Sequence, residues 1–469
     1  MDAKGGIPKR TTRSRKLTIK TVDLLDLTAV ELQNLLNDGL VTSRGIVQQY
    51  LEQIEKHNHQ GLKLHAIISV QNHADLFQRA QQLDDERKRG KVRGPLHGVP
   101  IILKDICTTR NMPSTCGSYA FNGGNAKIDA PLIDTLNDAG LIIIAKANLS
   151  ELGNAKGEGL MSGWSAVGGQ GPAGSSSGSA TAVAAGFAPV SLGTELQGSI
   201  TWPAARAGLY AIKLSPGSVD QTGFQPGAVG FDCQGPYGKT VTDIATLSAV
   251  MQLHEPGHYH PLATSWEGLR VGVVDPKSWR IGPEVVETIC GFLDQTDSAL
   301  YEAETKIEEL GAKLVKRIPL MSWDDIERAM PDVKQMEDLF SDDNQKALED
   351  MRDCKMSEEI YQRNSKALRV AARSAVKQAL QDGGVDVILG PCDSRLDSVA
   401  SAAGYPLGNL PLGYADFNGR GFSLHAMAPV GEEGKIFQVM SAWEATFPEN
   451  RRAPRKMLRD ETVPSSVRA

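Results

Sequence analysis

Ser175, Ser176 and Ser177 lie between two glycines in Gly174-Ser-Ser-Ser-Gly178, and Ser199 follows in Gln197-Gly-Ser-Ile200. A serine hydroxyl becomes a useful nucleophile when a partner takes its proton. The sequence offers two kinds of partner. The first is a histidine. Gly174-Ser-Ser176-Ser-Gly178 is literally G-x-S-x-G, and Asp393 or Asp397 followed by His425 would complete a Ser…Asp…His order. A nucleophile elbow needs a strand directly before its serine, however, and Gly171-Pro-Ala-Gly174 is a poor strand. His425, in Gly-Phe-Ser-Leu-His-Ala-Met, reads better as a structural histidine. The second partner is a lysine. Lys104 ends the apolar run Ile101-Ile-Leu103, where partial desolvation would lower its pKa and leave a neutral fraction able to act as a base. The plainer reading of Lys104 is an ion pair with the adjacent Asp105.

Other short patterns carry less. Gly169-Gln-Gly171-Pro-Ala-Gly174 is literally G-x-G-x-x-G, and Glu195 lies near the place of a ribose-binding acid. No clear strand leads into it and Pro172 sits inside the turn, so dinucleotide binding is set aside. There is no Walker A sequence. His254, His258 and His260 fall together in a Pro/Gly loop without an H-E-x-x-H pairing, so a solvated loop is preferred to a metal site. Asn148-Leu-Ser150 matches a glycosylation sequon, but it follows an expected buried strand.

These residues need a scaffold. Thr28-Ala-Val-Glu31 is a capping box, and Ile46, Val47, Tyr50, Leu51 and Ile54 repeat at helical spacing, so two helices are predicted over 28–57. Val99–Leu103 and Leu141–Ala145 read as buried strands, with a helix near Ile133–Asn137 between them. Leu269–Val274, a helix near Glu284–Leu310, Lys313–Ile318 and Val385–Leu389 continue the alternation, which implies an α/β fold with a largely buried sheet. Residues 321–382 read as a charged helical covering region. From 157 to 198 eleven of 42 residues are Gly and seven are Ser. Interleaved with the apolar Ala180–Ala185 and Val190–Leu192, they suggest a packed active-site core, where small residues let backbones approach closely, in preference to a linker.

Composition narrows the function classes. The 469 residues carry 50 Lys and Arg against 56 Asp and Glu, a formal net charge of −6, which argues against a broadly basic nucleic-acid-binding surface. No apolar run approaches the ~20 residues of a membrane span, and the start lacks the apolar core of a secretory signal. The six cysteines form no CxxC pair and read as free thiols of a cytoplasmic protein. Residues 1–16 read as a basic flexible arm, 17–460 as one large domain, and 461–469 as a flexible tail.

A longer constellation is more specific. It runs from Arg93-Gly-Pro-Leu-His-Gly-Val-Pro-Ile-Ile-Leu-Lys104-Asp105 through Ala145-Lys-Ala-Asn-Leu-Ser-Glu151 and Ser162-Gly-Trp-Ser-Ala-Val-Gly-Gly-Gln170. It continues through Gly174-Ser-Ser-Ser-Gly-Ser179 to Leu192-Gly-Thr-Glu-Leu-Gln-Gly-Ser199-Ile-Thr-Trp-Pro203. In order and spacing these segments resemble the amidase signature family of serine hydrolases. The likeness extends over about 90% of the chain, more weakly between 260 and 380. It implies a single large α/β domain with a mixed twisted sheet of about ten or more strands, flanked by helices. It implies Ser199 as nucleophile, Ser175 as the bridging serine after a cis peptide, and Lys104 as base. The backbone amides of Leu196, Gln197, Gly198 and Ser199 would receive the acyl oxyanion. No metal or organic cofactor is required. The substrate would be a small-molecule amide, with no nucleic acid and no membrane span, and a homodimer is one assembly the resemblance allows.

Common members read Gly-Thr-Asp-Thr-Gly-Gly-Ser-Ile-Arg, whereas this chain carries Glu195, Leu196, Gln197 and Thr201 at the changed positions. Acyl transfer from the same acyl-enzyme, and a non-catalytic binding protein on this scaffold, stand as alternatives. The glutaminase component of a transamidation complex ranks lower, because it carries the Gly-Gly-Ser-Ile-Arg form.

Overall fold

The computed structural model describes residues 22–155, 162–168, 170–281, 291–322 and 356–454, together with Ile289, Asp325 and Asp353. The arm 1–16, the tail 461–469, Gly169 and most of 321–355 lie outside the described residues.

The chain opens with α1 (Ala29–Asn37) and α2 (Ser43–His57). The capping box forms: the Thr28 side chain accepts from the Glu31 amide, and the Glu31 side chain accepts from the Thr28 amide. Then come β1 (Ile67–Val70), α3 (His73–Lys88), β2 (Pro100–Lys104), α4 (Pro131–Asp138) and β3 (Ile142–Ala147). The Gly/Ser-rich stretch supplies α5 (Ser177–Ala184), followed by β4 (Val190–Glu195), α6 (Thr201–Ala207), β5 (Tyr210–Lys213), β6 (Cys233–Gly238) and α7 (Val241–Met251). The remainder is β7 (Arg270–Val273), α8 (Pro276–Trp279), α9 (Phe292–Glu309), β8 (Lys313–Lys316), α10 (Glu358–Gly383), β9 (Val387–Pro391), α11 (Leu396–Ala403), β10 (Leu407–Tyr414), β11 (Gly421–Met427) and α12 (Glu433–Thr446).

All eleven strands form one sheet in the order β1-β3-β2-β4-β6-β5-β10-β11-β9-β7-β8. It is mixed, as expected. β3, β2 and β4 run parallel, as do β9, β7 and β8, and antiparallel pairings through β6, β5, β10 and β11 join the two blocks. Among the parallel strands β2, β3 and β9 carry apolar runs and are buried throughout, as suits burial on both faces, whereas the edge strand β8 is exposed to half-buried. Of residues 321–382, the described part is largely α10, a long helix over the β9 end of the sheet.

Helices cover both faces. Ser191 of β4 donates to the Ser179 carbonyl of α5 at 2.7 Å, while Gly238, paired with Val190 on β4, abuts Ile244 of α7. On that second side Gly408 of β10 packs against Ile436 and Met440 of α12. The small residues of α5 have a packing purpose. Every one of its side chains is buried, and a Cβ added at Gly178 would lie 2.5 Å from the Asn148 amide and closer still to the Ala66 carbonyl oxygen. The helix thus rests its backbone on the ends of β1 and β3, which brings Ser175 and Ser176 down to the sheet edge.

Gly178→Ala is therefore expected to lower the unfolding free energy by about 1–3 kcal/mol through overpacking. Gly171→Ala, at a position with nothing within 4 Å of the new methyl, is the control and should leave it unchanged. Urea titrations of the three proteins check this, and equal midpoints would contradict the close-approach argument.

Candidate active site

β2 and β4 are parallel neighbours, so their C-terminal ends share one edge of the sheet. Lys104 is the last residue of β2, and Thr194 and Glu195 close β4. The N-terminal ends of α5 and α6 converge on the same edge with Ser175 and Ser199. Crevices outside the carboxyl ends of strands are where ligands bind in open α/β sheets.

The Lys104 side chain is 1% exposed, and among the described residues no carboxylate pairs with it. Its Nζ lies 2.7 Å from Ser175 Oγ, 3.0 Å from Thr194 Oγ1 and 3.3 Å from the Thr194 carbonyl oxygen. Burial pushes its pKa down to about 7, against the opposing pull of Glu195, Asp232 and Cys116. A neutral amine has two N–H donors and one lone pair. The two oxygens of Thr194 can take the donors, which leaves the lone pair for the Ser175 hydroxyl.

The ion pair of Lys104 with Asp105 does not form. Asp105 Oδ1 instead pairs with Lys146 Nζ at 2.8 Å, both side chains fully buried, and Asp105 Oδ2 accepts from the Thr115 amide and hydroxyl at 3.0 and 2.6 Å. Lys146 also donates to the Cys107 carbonyl at 2.8 Å. The neighbouring carboxylate is thus satisfied elsewhere, and the Lys104 amine keeps neutral partners.

Ser175 is 2% exposed and follows the cis peptide Gly174–Ser175, where one was expected. Its carbonyl accepts from the Ser150 amide at 3.0 Å, which ties it to the segment after β3. The Ser176 amide donates to the Ser199 carbonyl at 3.1 Å, and Tyr237 Oη donates to the same oxygen at 3.4 Å. The two serine segments are therefore stitched together directly. Gly198 has φ +74°, and a Cβ there would press to 3.0 Å against the Trp202 ring, so both conformation and space call for glycine. Among the described residues, the amides of Gln197, Gly198 and Ser199 make no hydrogen bond to the protein. These are donors available to an oxyanion.

Glu195 explains one departure from the expected motif. Its Oε2 accepts from the Ile200 and Thr201 amides at 2.7 and 2.9 Å and lies 3.2 Å from the Thr201 hydroxyl. The acid thus closes the 196–199 turn by satisfying amides at the start of α6.

The other patterns do not assemble. Ser176 Oγ donates to the Thr194 carbonyl at 3.1 Å and accepts from its amide at 3.3 Å, so it braces β4. His425 is buried on β11 with both ring nitrogens unpartnered among the described residues, and burial, then the charge of Lys213, pushes its pKa down to about 3. Of its candidate acids, Asp393 faces Arg280 at 3.5 Å, and Asp397 Oδ1 accepts from the Ser398 amide at 2.6 Å. No described strand leads into Gly171, and Gly169 is outside the described residues. Asn148 Nδ2 donates to the His65 carbonyl at 2.8 Å. His254 and His258 stack at 3.8 Å between centroids, and among the described residues no group of three His, Cys, Asp or Glu could hold a metal. Cys107, Cys116, Cys233 and Cys392 are free thiols. No described helix is long and apolar enough to cross a membrane. Thr194 and Lys146 were not assigned roles from the sequence, although both lie inside the quoted segments.

Known proteins share this chain's family and fold. The family described as Amidase matches residues 45–396. A Schizosaccharomyces pombe protein named as an amidase is 34% identical over 323 residues, 62% of this chain and 52% of that one, so the match spans about half of the relative's length. An Arabidopsis thaliana protein named as an amidase is 29% identical over 472 aligned positions, 90% of this chain and 90% of that one. Among solved structures, native peptide amidase from Stenotrophomonas maltophilia superposes with a TM-score of 0.76 at 27% identity, covering 92% of this chain and 98% of that one.

Lys104 is a proton acceptor only when neutral. Phosphonylation of the site by a fluorophosphonate is expected to be slow in acid and to rise with pH along one titration centred near 7. Lys104→Met should slow it by about 10²–10⁴-fold above pH 7, the usual worth of a general base, with the gap narrowing in acid as the wild-type amine is protonated. Stopped-time labelling across pH checks both, and a flat profile or a fully reactive Lys104→Met protein would contradict the assignment.

Proposed function

The chain belongs to the amidase signature family, and from that premise we propose that it hydrolyses a small carboxamide through an acyl-enzyme on Ser199. The observation that carries this reading is the buried Lys104 amine, 2.7 Å from Ser175 Oγ and without a carboxylate partner among the described residues.

Ser199 Oγ attacks the carbonyl carbon while its proton passes to Ser175 and the Ser175 proton passes to neutral Lys104. The carbonyl oxygen becomes an oxyanion, received by the backbone N–H groups of residues 196–199. These donors are fixed before the reaction and so cost no reorganisation as charge develops. When the intermediate collapses, the carbon–nitrogen bond breaks and the relay returns the proton to the leaving amine. Water then enters, loses a proton to the same relay and attacks the ester carbon. The carboxylic acid departs and the Ser199 hydroxyl is restored. Every proton is held by Lys104, Ser175 or Ser199, so this chemistry calls on no cofactor. The free thiols fit a reducing, cytoplasmic setting.

The test is direct detection of the covalent intermediate. The protein is mixed with a panel of primary carboxamides and anilides, quenched in acid, and digested for mass spectrometry. An acyl group on Ser199 is expected, absent in Ser199→Ala and in Lys104→Met and present in His425→Ala. An acyl group on Ser176 that disappears in His425→Ala would overturn the reading. Added hydroxylamine should divert part of the product to a hydroxamate, as capture of an acyl-enzyme requires.

A further inference from the structure

Leu196 and Gln197 replace the residues that the family pattern places in the turn bearing the oxyanion donors, so something in this chain must hold that turn. The partners come from α11, some 200 residues away in sequence. Ser401 Oγ donates to the Leu196 carbonyl at 2.7 Å and accepts from Lys213 Nζ at 3.2 Å. Gln197 Nε2 donates to Ser398 Oγ at 2.8 Å. Ser398 Oγ in turn lies 3.3 Å from Asp397 Oδ1, the oxygen that also accepts the Ser398 amide at 2.6 Å. Two consecutive residues of the turn are each tethered through a serine hydroxyl to a fully buried ionisable side chain, Lys213 on β5 and Asp397 on α11.

We propose that Ser401 and Ser398 are positioning residues of the oxyanion site, holding the Leu196–Gln197 peptide so that the Gln197 N–H faces the acyl oxygen. The inference rests on the acyl-enzyme reading above.

The geometry of a trans peptide supplies the reason. Its C=O and N–H point in opposite directions within one plane, and the Leu196–Gln197 bond is trans. Drawing the Leu196 oxygen toward Ser401 therefore sends the Gln197 hydrogen to the other side of the turn. That amide is one of the three that no described group of the protein occupies. One tether leaves the peptide free to rock about its ends, and the second removes that freedom by anchoring the following side chain. The residue type at 197 matters here. A glycine has no side chain to cross to α11, whereas glutamine places an N–H donor at the end of a long arm. Lys213 donates to Ser401, so the Ser401 proton is left for the Leu196 carbonyl. The Asp397 carboxyl accepts a hydrogen bond from the Ser398 hydroxyl and leaves a Ser398 lone pair for Gln197. Both chains of donors thus run in a consistent direction.

The experiment measures inactivation of the full chain by a fluorophosphonate, separating kinact from KI. The proteins compared are wild type, Gln197→Ala, Ser398→Ala, the Gln197→Ala/Ser398→Ala double variant, Ser401→Ala and Ser401→Thr, with thermal unfolding followed in each. Loss of a single oxyanion donor slows an acyl-transfer enzyme by about 10²–10³-fold, so a misaimed donor in Ser401→Ala should lower kinact by at least about tenfold with KI unchanged. Ser401→Thr keeps the hydroxyl and should restore kinact. Gln197→Ala and Ser398→Ala should each lower kinact severalfold, and the double variant should fall no further than either single, because the two side chains act as one tether. Gln197 is exposed, so its truncation leaves the fold intact as a readout. Wild-type kinact in all the alanine variants, with label on Ser199, overturns this inference and leaves the acyl-enzyme reading standing. A loss confined to KI, or one that threonine does not restore, also overturns it. A wild-type protein that takes no label at Ser199 overturns both.

Discussion

A lysine amine with no carboxylate beside it, dried by the end of a buried strand, is the constraint on which the site depends. An amine paired with a carboxylate is held in its charged form and has no lone pair to offer. Lys104 escapes that state even though Asp105 is its neighbour in sequence. The strand geometry separates them, and the Asp105 carboxylate is taken up by Lys146, Thr115 and nearby backbone. The buried Asp105–Lys146 pair is thus as much a part of the site as the serines, although it touches none of them. Its role is to keep a negative charge from reaching Lys104.

Three other lysines, Lys146, Lys213 and Lys239, are fully buried among the described residues, and their partners differ from those of Lys104. Lys146 is neutralised by a carboxylate. Lys239 donates to the Leu24 and Leu27 carbonyls at 2.6 and 2.8 Å and clamps the incoming chain against the sheet. Burial lowers the pKa of Lys239 to about 7, as it does that of Lys104. A depressed pKa is therefore not what distinguishes Lys104 from Lys239. Lys239 faces carbonyl oxygens that can only accept, so its neutral form would find no proton to take. Lys104 faces the hydroxyl of Ser175, which can give one up.

Parts of this arrangement were legible in the sequence and parts were not, for physical reasons. β2, β3 and β9 announce themselves as apolar, β-branched runs because sheet strands buried on both faces need such residues. α1 and α2 carry a cap and a helical period. β6 offers no such sign. Its sequence, Cys-Gln-Gly-Pro-Tyr-Gly, has low strand propensity, yet it lies in mid-sheet between β4 and β5. The reason is crowding, since a side chain on Gly235 would collide with the Ile212 carbonyl. Lys104, Ser175 and Ser199 could be placed through their ordered motifs. Thr194 could not, because its role arises only when β4 lies beside β2. Ser398 and Ser401 are further still from legibility, because only the assembled sheet brings α11 against the turn after β4.

The departures at Glu195, Leu196, Gln197 and Thr201 are best judged by the hydrogen bonds they make. The longer Glu195 side chain reaches past the turn to the first amides of α6, and the Thr201 hydroxyl adds a neutral contact where common members carry a cation. One carboxylate oxygen is therefore engaged by backbone and hydroxyl donors, while Glu195 Oε1 has no hydrogen-bond partner among the described residues. The turn that follows loses one kind of side chain and gains another that spans to α11. In both cases the backbone amides of Gln197, Gly198 and Ser199 stay free among the described residues, because the stabilising bonds are made through side chains and through the Leu196 carbonyl. A motif can thus change several of its letters and leave these backbone amides free, provided that each new side chain bonds to something other than them.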